Sequence, residues 1–194
     1  MALCFTHGTA GYLAYEAIRP AGAHQPRLLA AAVLLANAPD LDFVPGLLIG
    51  APAAFHRGVT HTLFAVVVVG CLVGLARRMV GGAHAAAWRT ALWASAVYAS
   101  HIAVDLLTID AAAPWGFRAF WPLSNAFVIA PVTPFAEIVI NPSGRAAFVA
   151  SLLAPHTIGV WAREIGTLLF AVAAVHLARL WPDGGALGGA TEEP

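Results

Sequence analysis

The chain has 194 residues, a length that suits one compact domain. Its residues are 60% hydrophobic and only 10% charged, against about 25% charged in a soluble domain, which is too little charge to cover a water-facing surface. The net charge is zero and every Lys/Arg position is an arginine, so nothing in the balance points to nucleic acid.

The expected fold is all-α, a polytopic helical membrane protein. Five segments read as helical. Thr6 to Ile18 is small and apolar and ends at "RP". Leu28 to Ala38 is apolar and stops at "PDLD". Thr60 to Arg77, Trp88 to Leu107 and Ile158 to Trp181 are the three clear spans, since about 20 helical residues cross a hydrocarbon core. The first two segments are short and are expected to form a tilted or partly inserted pair. Between Thr108 and Pro142 stand Pro114, Pro122, Pro131, Pro134 and Pro142, which argue against a long helix. An interfacial loop is expected there, and a short helix or re-entrant turn over Ala146 to Ala154. Residues 1–182 read as a single membrane-embedded domain, and 183–194 as a polar, disordered tail. The first twenty residues lack a basic n-region and an A-x-A site, so no cleaved signal peptide is expected. Cys4 and Cys71 show no CxxC spacing and read as packing residues.

Arginines suggest an orientation. Arg19 and Arg27 flank one short loop, Arg77, Arg78 and Arg89 another, and Arg179 ends the last helix. With alternating helices all three sites share one side, and the positive-inside rule makes that side cytoplasmic. Arg57, Arg118, Arg145 and Arg163 fall on the other side and weaken the bias.

The polar residues then fall into a pattern. His7 opens the first helix, and Asp40 and Asp42 follow the second. His56 and His61 precede and open the third, and His101 and Asp105 lie near the end of the fourth. All of them sit at the helix ends opposite the arginine-flanked loops. His101 and Asp105 are i and i+4 and share a helix face. Asp40 and Asp42 follow a proline on a turned or extended backbone, so they point differently. One can ligate while the other bridges or orients a histidine. A continuous helix would set His56 and His61 about 140° apart, but Gly58 permits a turn that brings them together.

Taken singly, each residue has a plain structural role. His7 can cap a helix, Asp42 can be an N-cap, and His101 with Asp105 can be an interhelical hydrogen-bonded pair. Taken jointly, they favour a site. Imidazole and carboxylate together suit zinc, with iron or manganese as alternatives, in one or two divalent ions. Ionisable groups within a membrane domain usually mark function. Carboxylates gathered in one place repel unless a cation lies between them. His24, His84, His156 and His176 stand outside the pattern.

These residues carry a resemblance. "PDLD", "HRGVTH", "HIAVD" and "WPLS", with an early histidine, resemble the YdjM-like membrane-bound metal-dependent hydrolases over roughly residues 6 to 125. The resemblance implies an inner-membrane protein with a hydrolase site. It carries over to His7, Asp40, Asp42, His56, Arg57, His61, His101 and Asp105. Leu123 stands where the family usually has an aromatic residue after the proline of "WPLS".

The expected function is metal-dependent hydrolysis at the lipid–water interface, on a phosphoester or phospholipid-type substrate. Asp42 and Arg57 are the expected catalytic residues, with the planar fork of Arg57 either on a phosphate or in a salt bridge to Asp40 or Asp42. Membrane lipid is the expected environment and possible substrate, with the site facing the non-cytoplasmic side. The alternatives are a metal-ion transporter or sensor, which needs two access routes, and a scaffold with a structural metal, which needs a closed four-ligand site.

Overall fold

The computed structural model describes residues 4–18, 24–110 and 113–180. It is helical throughout, and the described residues contain no strand beyond two isolated bridges. Helix α1 spans Cys4–Ile18, α2 Pro26–Asn37, α3 Phe43–Ile49, α4 Leu63–Met79, α5 His84–Leu106, α6 Arg145–Leu152 and α7 Pro155–Leu180. The tail expected over 183–194 lies outside the described residues.

The expected short second segment is in fact part of a longer one. Pro39 lacks the amide hydrogen an α-helix needs, yet the chain stays in helical conformation. It tightens into a 3₁₀ turn over Ala38–Asp42 and runs on as α3. The stretch Pro26–Ile49 is then 24 residues long and apolar enough to cross a membrane. Gly50 ends it in the left-handed conformation, at φ 78°.

Two helical stretches meet the length and apolarity of a span: Pro26–Ile49 and Pro155–Leu180. Of the three clear spans expected, only the last coincides with one of them. Helix α4, with 17 residues, stands at the lower limit of a crossing. Helix α5 has 23 residues, but Ser, Thr, Tyr, Trp and His dilute its apolar character. Helix α7 turns apolar side chains outward all round, with only 11% of its most apolar window buried and Phe170 at 74% exposure. A water-facing surface does not tolerate such a patch, whereas lipid does.

Helix directions follow from single contacts. Gln25 N donates to Tyr15 Oη, and an added Cβ at Gly11 would meet Ala32 O, so α2 runs antiparallel to α1. The Thr6 amide donates to Glu164, and Arg179 pairs with Glu16, so α7 runs parallel to α1. Helices α4 and α5 form a close antiparallel hairpin through Gly70 and Gly74. An added Cβ at Gly74 would lie 2.7 Å from the Ala91 Cβ, so only glycine lets the backbones approach this closely.

These directions bring the start of α1, the end of α2, the start of α4 and the end of α5 to one end of the bundle. A core of Ala65, Val66, Tyr98, Ile102, Phe117 and Ala119 underlies that end. It ties the proline-rich loop to the helices: Leu63 N donates to Ala119 O, and Phe117 and Val128 exchange both backbone hydrogen bonds. No helix forms between Leu107 and Gly144 among the described residues, as the prolines require.

Candidate metal centre

Each chain segment presents its polar residue for a local reason. His7 sits in the first turns of α1 and is fully buried, stacked on His101 at 3.7 Å between ring centroids. Asp40 and Asp42 lie on the 3₁₀ turn, where residues two apart point about 240° from each other. His61 closes a second 3₁₀ turn, Val59–His61. Thr62 follows it as N-cap of α4, its hydroxyl accepting from Ala65 N at 3.1 Å. Tyr98 Oη donates to Thr60 O and fixes that turn against α5. His101 and Asp105 share one face of α5 and are both buried.

The two aspartates take different roles. Asp42 is surrounded by donors. It accepts from Arg57 N at 3.1 Å and from Thr60 Oγ1 at 2.9 Å. His56 Nδ1 lies 3.1 Å from one of its oxygens and His61 Nδ1 3.2 Å from the other. Asp42 thus orients both imidazoles and sets their tautomers, with the proton on Nδ1. Asp40 turns the other way. Its Oδ1 lies 3.5 Å from Nε2 of both His61 and His101 and has no hydrogen-bond donor.

The tautomers leave a concentration of acceptors. His101 Nδ1 lies 2.8 Å from Ala36 O, and a carbonyl only accepts, so the proton is on Nδ1 and Nε2 carries a lone pair. His61 Nδ1 faces the Asp42 carboxylate, so in the neutral ring that can bind a cation its Nε2 carries the lone pair, and the two Nε2 atoms face each other at 3.2 Å. Without a cation, burial lowers the His61 pKa but the Asp40 and Asp42 carboxylates outweigh it and raise it to about 9. Asp105 Oδ2 completes the set, 3.6 Å from His61 Nε2 and 4.0 Å from His101 Nε2. Both Asp105 oxygens, both His7 ring nitrogens and His56 Nε2 are buried without a hydrogen-bond partner. Buried polar atoms normally find partners, so this density of orphans at one place requires explanation. One proton on either facing Nε2 supplies a single donor, and His7 Nε2 lies 3.5 Å from Asp105 Oδ1 without forming a hydrogen bond to it.

Two groups of three ligand atoms can each hold a cation: His7, His101 and Asp105, and Asp40, His56 and His61. Within each group the atoms lie within 4.8 Å of one another. Imidazole with carboxylate is a donor set for divalent transition metals, so the residues fit such an ion. Burial pushes the His56 imidazole below its ordinary pKa, although the Asp42 carboxylate pulls it upward. His56 is therefore neutral at pH 7, its Nε2 lone pair available.

Arg57 holds the rim of the cluster. Its φ is +57°, a conformation that residues other than glycine seldom adopt, and both of its ends are held. The amide binds Asp42, Nη1 donates to Asp110 at 2.7 Å, and Nε lies 3.7 Å from Asp105. Neither Asp40 nor Asp42 receives the guanidinium. Asp110 was not among the residues the motifs single out. It lies five residues past Asp105, beyond the helix end, and also accepts from Gly116 N. The sequence reading expected a carboxylate for Arg57 but placed it at Asp40 or Asp42, and no local pattern singles out Asp110.

Beside the cluster opens a cavity of about 1030 Å³. Asp42, His56, Arg57, Thr60, Asp110 and Arg118 form its polar wall, and Leu41, Phe55, Val59 and Phe127 are apolar wall residues with large exposed surfaces. The seven histidines and aspartates read from the sequence as metal ligands thus lie together at one end of the bundle, and Arg57 beside them. His84, at the start of α5, is at the opposite end.

Comparison with curated proteins and with solved structures finds no match for the chain. A family model, described as YdjM inner membrane protein, matches residues 1–182. With nearly the whole chain covered, and with these groups of potential metal ligands at the motif positions, the protein belongs to the YdjM inner membrane protein family.

Proposed function

We propose that the protein is a membrane-embedded, metal-dependent hydrolase that works at the lipid–water boundary on a phosphoester or phospholipid-type substrate. The observation that carries this reading is the convergence of His61 Nε2, His101 Nε2, Asp40 Oδ1 and Asp105 Oδ2, with neither carboxylate oxygen accepting a hydrogen bond. A cation is the natural complement to four facing acceptors. One or two divalent ions would be held by His7, Asp40, His56, His61, His101 and Asp105, with zinc the best match to the donor set and iron or manganese next. Such an ion supplies Lewis acidity toward a phosphoryl or acyl oxygen and makes water a competent nucleophile near neutral pH.

The chain's own residues do the rest. Asp42 locks the tautomers and orientations of His56 and His61, the role that carboxylates commonly play behind histidine ligands. Arg57 balances the charge of Asp105 and Asp110 and keeps Asp105 aimed at the cluster. The cavity lets a substrate reach the polar wall while its apolar part stays among Leu41, Phe55 and Phe127. That opening favours an enzyme over a structural metal, whose sites are normally closed. With arginine-flanked loops cytoplasmic, the cluster faces the non-cytoplasmic side.

Elemental analysis of the purified protein tests the reading, together with hydrolysis assays on phosphatidic acid and phosphatidylglycerol in mixed micelles. The expected result is one or two transition-metal ions per chain and turnover abolished by strong chelation. Metal without turnover on any ester would return the protein to the transporter or sensor alternative. A folded protein free of metal would defeat both.

A further inference from the structure

We infer that Arg118 is the residue that grips the anionic phosphate group of the substrate, and that the apolar wall beside it takes an acyl chain. The inference rests on the reading of the cavity as a substrate chamber, and it moves anion recognition away from Arg57.

Two arginines line the cavity, Arg57 and Arg118. The guanidinium of Arg57 is spent on Asp110 and Asp105. Turning it to a substrate would strip a half-buried Asp110 of its cation, a costly exchange. Arg118 makes no ion pair and no side-chain hydrogen bond among the described residues. Its one side-chain partner is the ring of Phe127, 6.0 Å from the guanidinium carbon. That contact holds the head group without satisfying any of its five donors.

The backbone around Arg118 is fixed. Phe117 is 1% exposed and paired to Val128 on one side. Ala119 is 2% exposed and accepts from Leu63 N on the other. A planar cation held over an aromatic ring on a rigid segment is preorganised for two-pronged binding to a phosphate. The pairing of charges in the cavity points the same way. The wall's formal charges balance, Asp42 and Asp110 against Arg57 and Arg118, but the Asp42 oxygens are taken by donors and Asp110 binds Arg57. Arg118 is the charged wall residue whose hydrogen-bonding groups are left for a ligand. The same wall exposes Leu41 at 65%, Val59 at 54% and Phe127 at 48%. A soluble phosphoester has no use for that surface, whereas a lipid phosphate buries its chain there.

The test is binding to the full-length protein in neutral detergent, with and without metal. The probes are dihexanoyl phosphatidic acid, dihexanoylglycerol and inorganic phosphate. Arg118→Gln should weaken phosphatidic acid binding by about tenfold or more, the worth of a charge-assisted hydrogen bond. It should leave dihexanoylglycerol binding and metal content unchanged. Arg118→Lys should recover part of the loss, keeping charge but not the fork. Arg163→Gln, on α7 and away from the cavity wall, should bind as wild type. Wild-type affinity in Arg118→Gln, or an equal loss in Arg163→Gln, overturns the inference. Equal affinity for inorganic phosphate and phosphatidic acid overturns its acyl-chain half. Because binding is read on chelated protein as well, a chain that proves metal-free or inactive defeats the hydrolase reading without deciding the role of Arg118. An active wild type whose binding ignores Arg118 does the reverse.

Discussion

His61 and His101 face each other through Nε2 atoms 3.2 Å apart, and each has its Nδ1 proton committed to an oxygen behind it. His61 comes from a 3₁₀ turn and His101 from α5, so packing holds the two Nε2 atoms at a separation that calls for a shared partner, a proton or a cation. The stacking of His7 on His101 and the approach of Asp40 and Asp105 enlarge the same requirement.

His101 and Asp105 separate a structural from a functional account. A polar interhelical contact in a membrane protein contributes ~0.6 kcal/mol on average. If that were all, His101→Ala and Asp105→Ala would melt slightly earlier and keep their metal. Each is expected instead to strip the metal or abolish turnover while the helices stay assembled. The loss at Asp105 should be no milder, because a balancing negative charge goes with it. Metal stoichiometry and rate, compared with His84→Ala from the far end of α5, decide the matter.

Asp42 should behave as an orienting residue. Asp42→Asn keeps the shape but presents an NH₂ to groups that need an acceptor. The Nδ1 protons of His56 and His61 then lose their anchor, and the tautomers are no longer fixed. Metal affinity should fall by about 10–100-fold without vanishing, the usual effect of removing a carboxylate behind a histidine ligand. Competitive titration with a chromogenic chelator measures it. Complete loss of metal would make Asp42 a direct ligand.

Arg57 should act on stability before it acts on substrate. Arg57→Gln leaves Asp110 and Asp105 without their cation at side chains only 12% and 0% exposed. Breaking a buried pair by removing one partner costs ~3–5 kcal/mol, to be scaled down here because Arg57 itself is 15% exposed. A clearly lowered melting temperature in detergent is expected. The double variant Arg57→Gln with Asp110→Asn should recover part of it. Unchanged stability with weakened phosphate binding would instead place the guanidinium on the substrate.

Orientation can be read by labelling in a chain whose Cys4 and Cys71 are replaced by alanine. Val80, 76% exposed, lies beyond the end of α4, and Leu123, 94% exposed, lies in the proline-rich loop near the site. In spheroplasts an impermeant maleimide should reach Leu123→Cys directly and Val80→Cys only after permeabilisation. The opposite pattern would place the metal centre in the cytoplasm.

The sequence by itself determined the helical class, the apolar character and the identity of the motif residues, because these depend on composition and local spacing. The i, i+4 pair in "HIAVD" is a property of any helix, and the turn at "HRGVTH" follows from its glycine. Prolines between Thr108 and Pro142 forbade a long helix wherever the chain happened to pack. Tertiary structure decided what depends on partners far away in the chain. It extended the second segment through Pro39, where the backbone tightens into a 3₁₀ turn and continues as α3. It divided labour between Asp40 and Asp42, two residues apart, because one meets the donors of residues 56–61 and the other meets His101 across the bundle. It also gave Arg57 to Asp110, 53 positions later, and left Arg118 in the same cavity without an ion pair among the described residues. An ion pair depends on distance in space, and no local pattern in this chain encodes which carboxylate will lie within 3 Å of a given arginine.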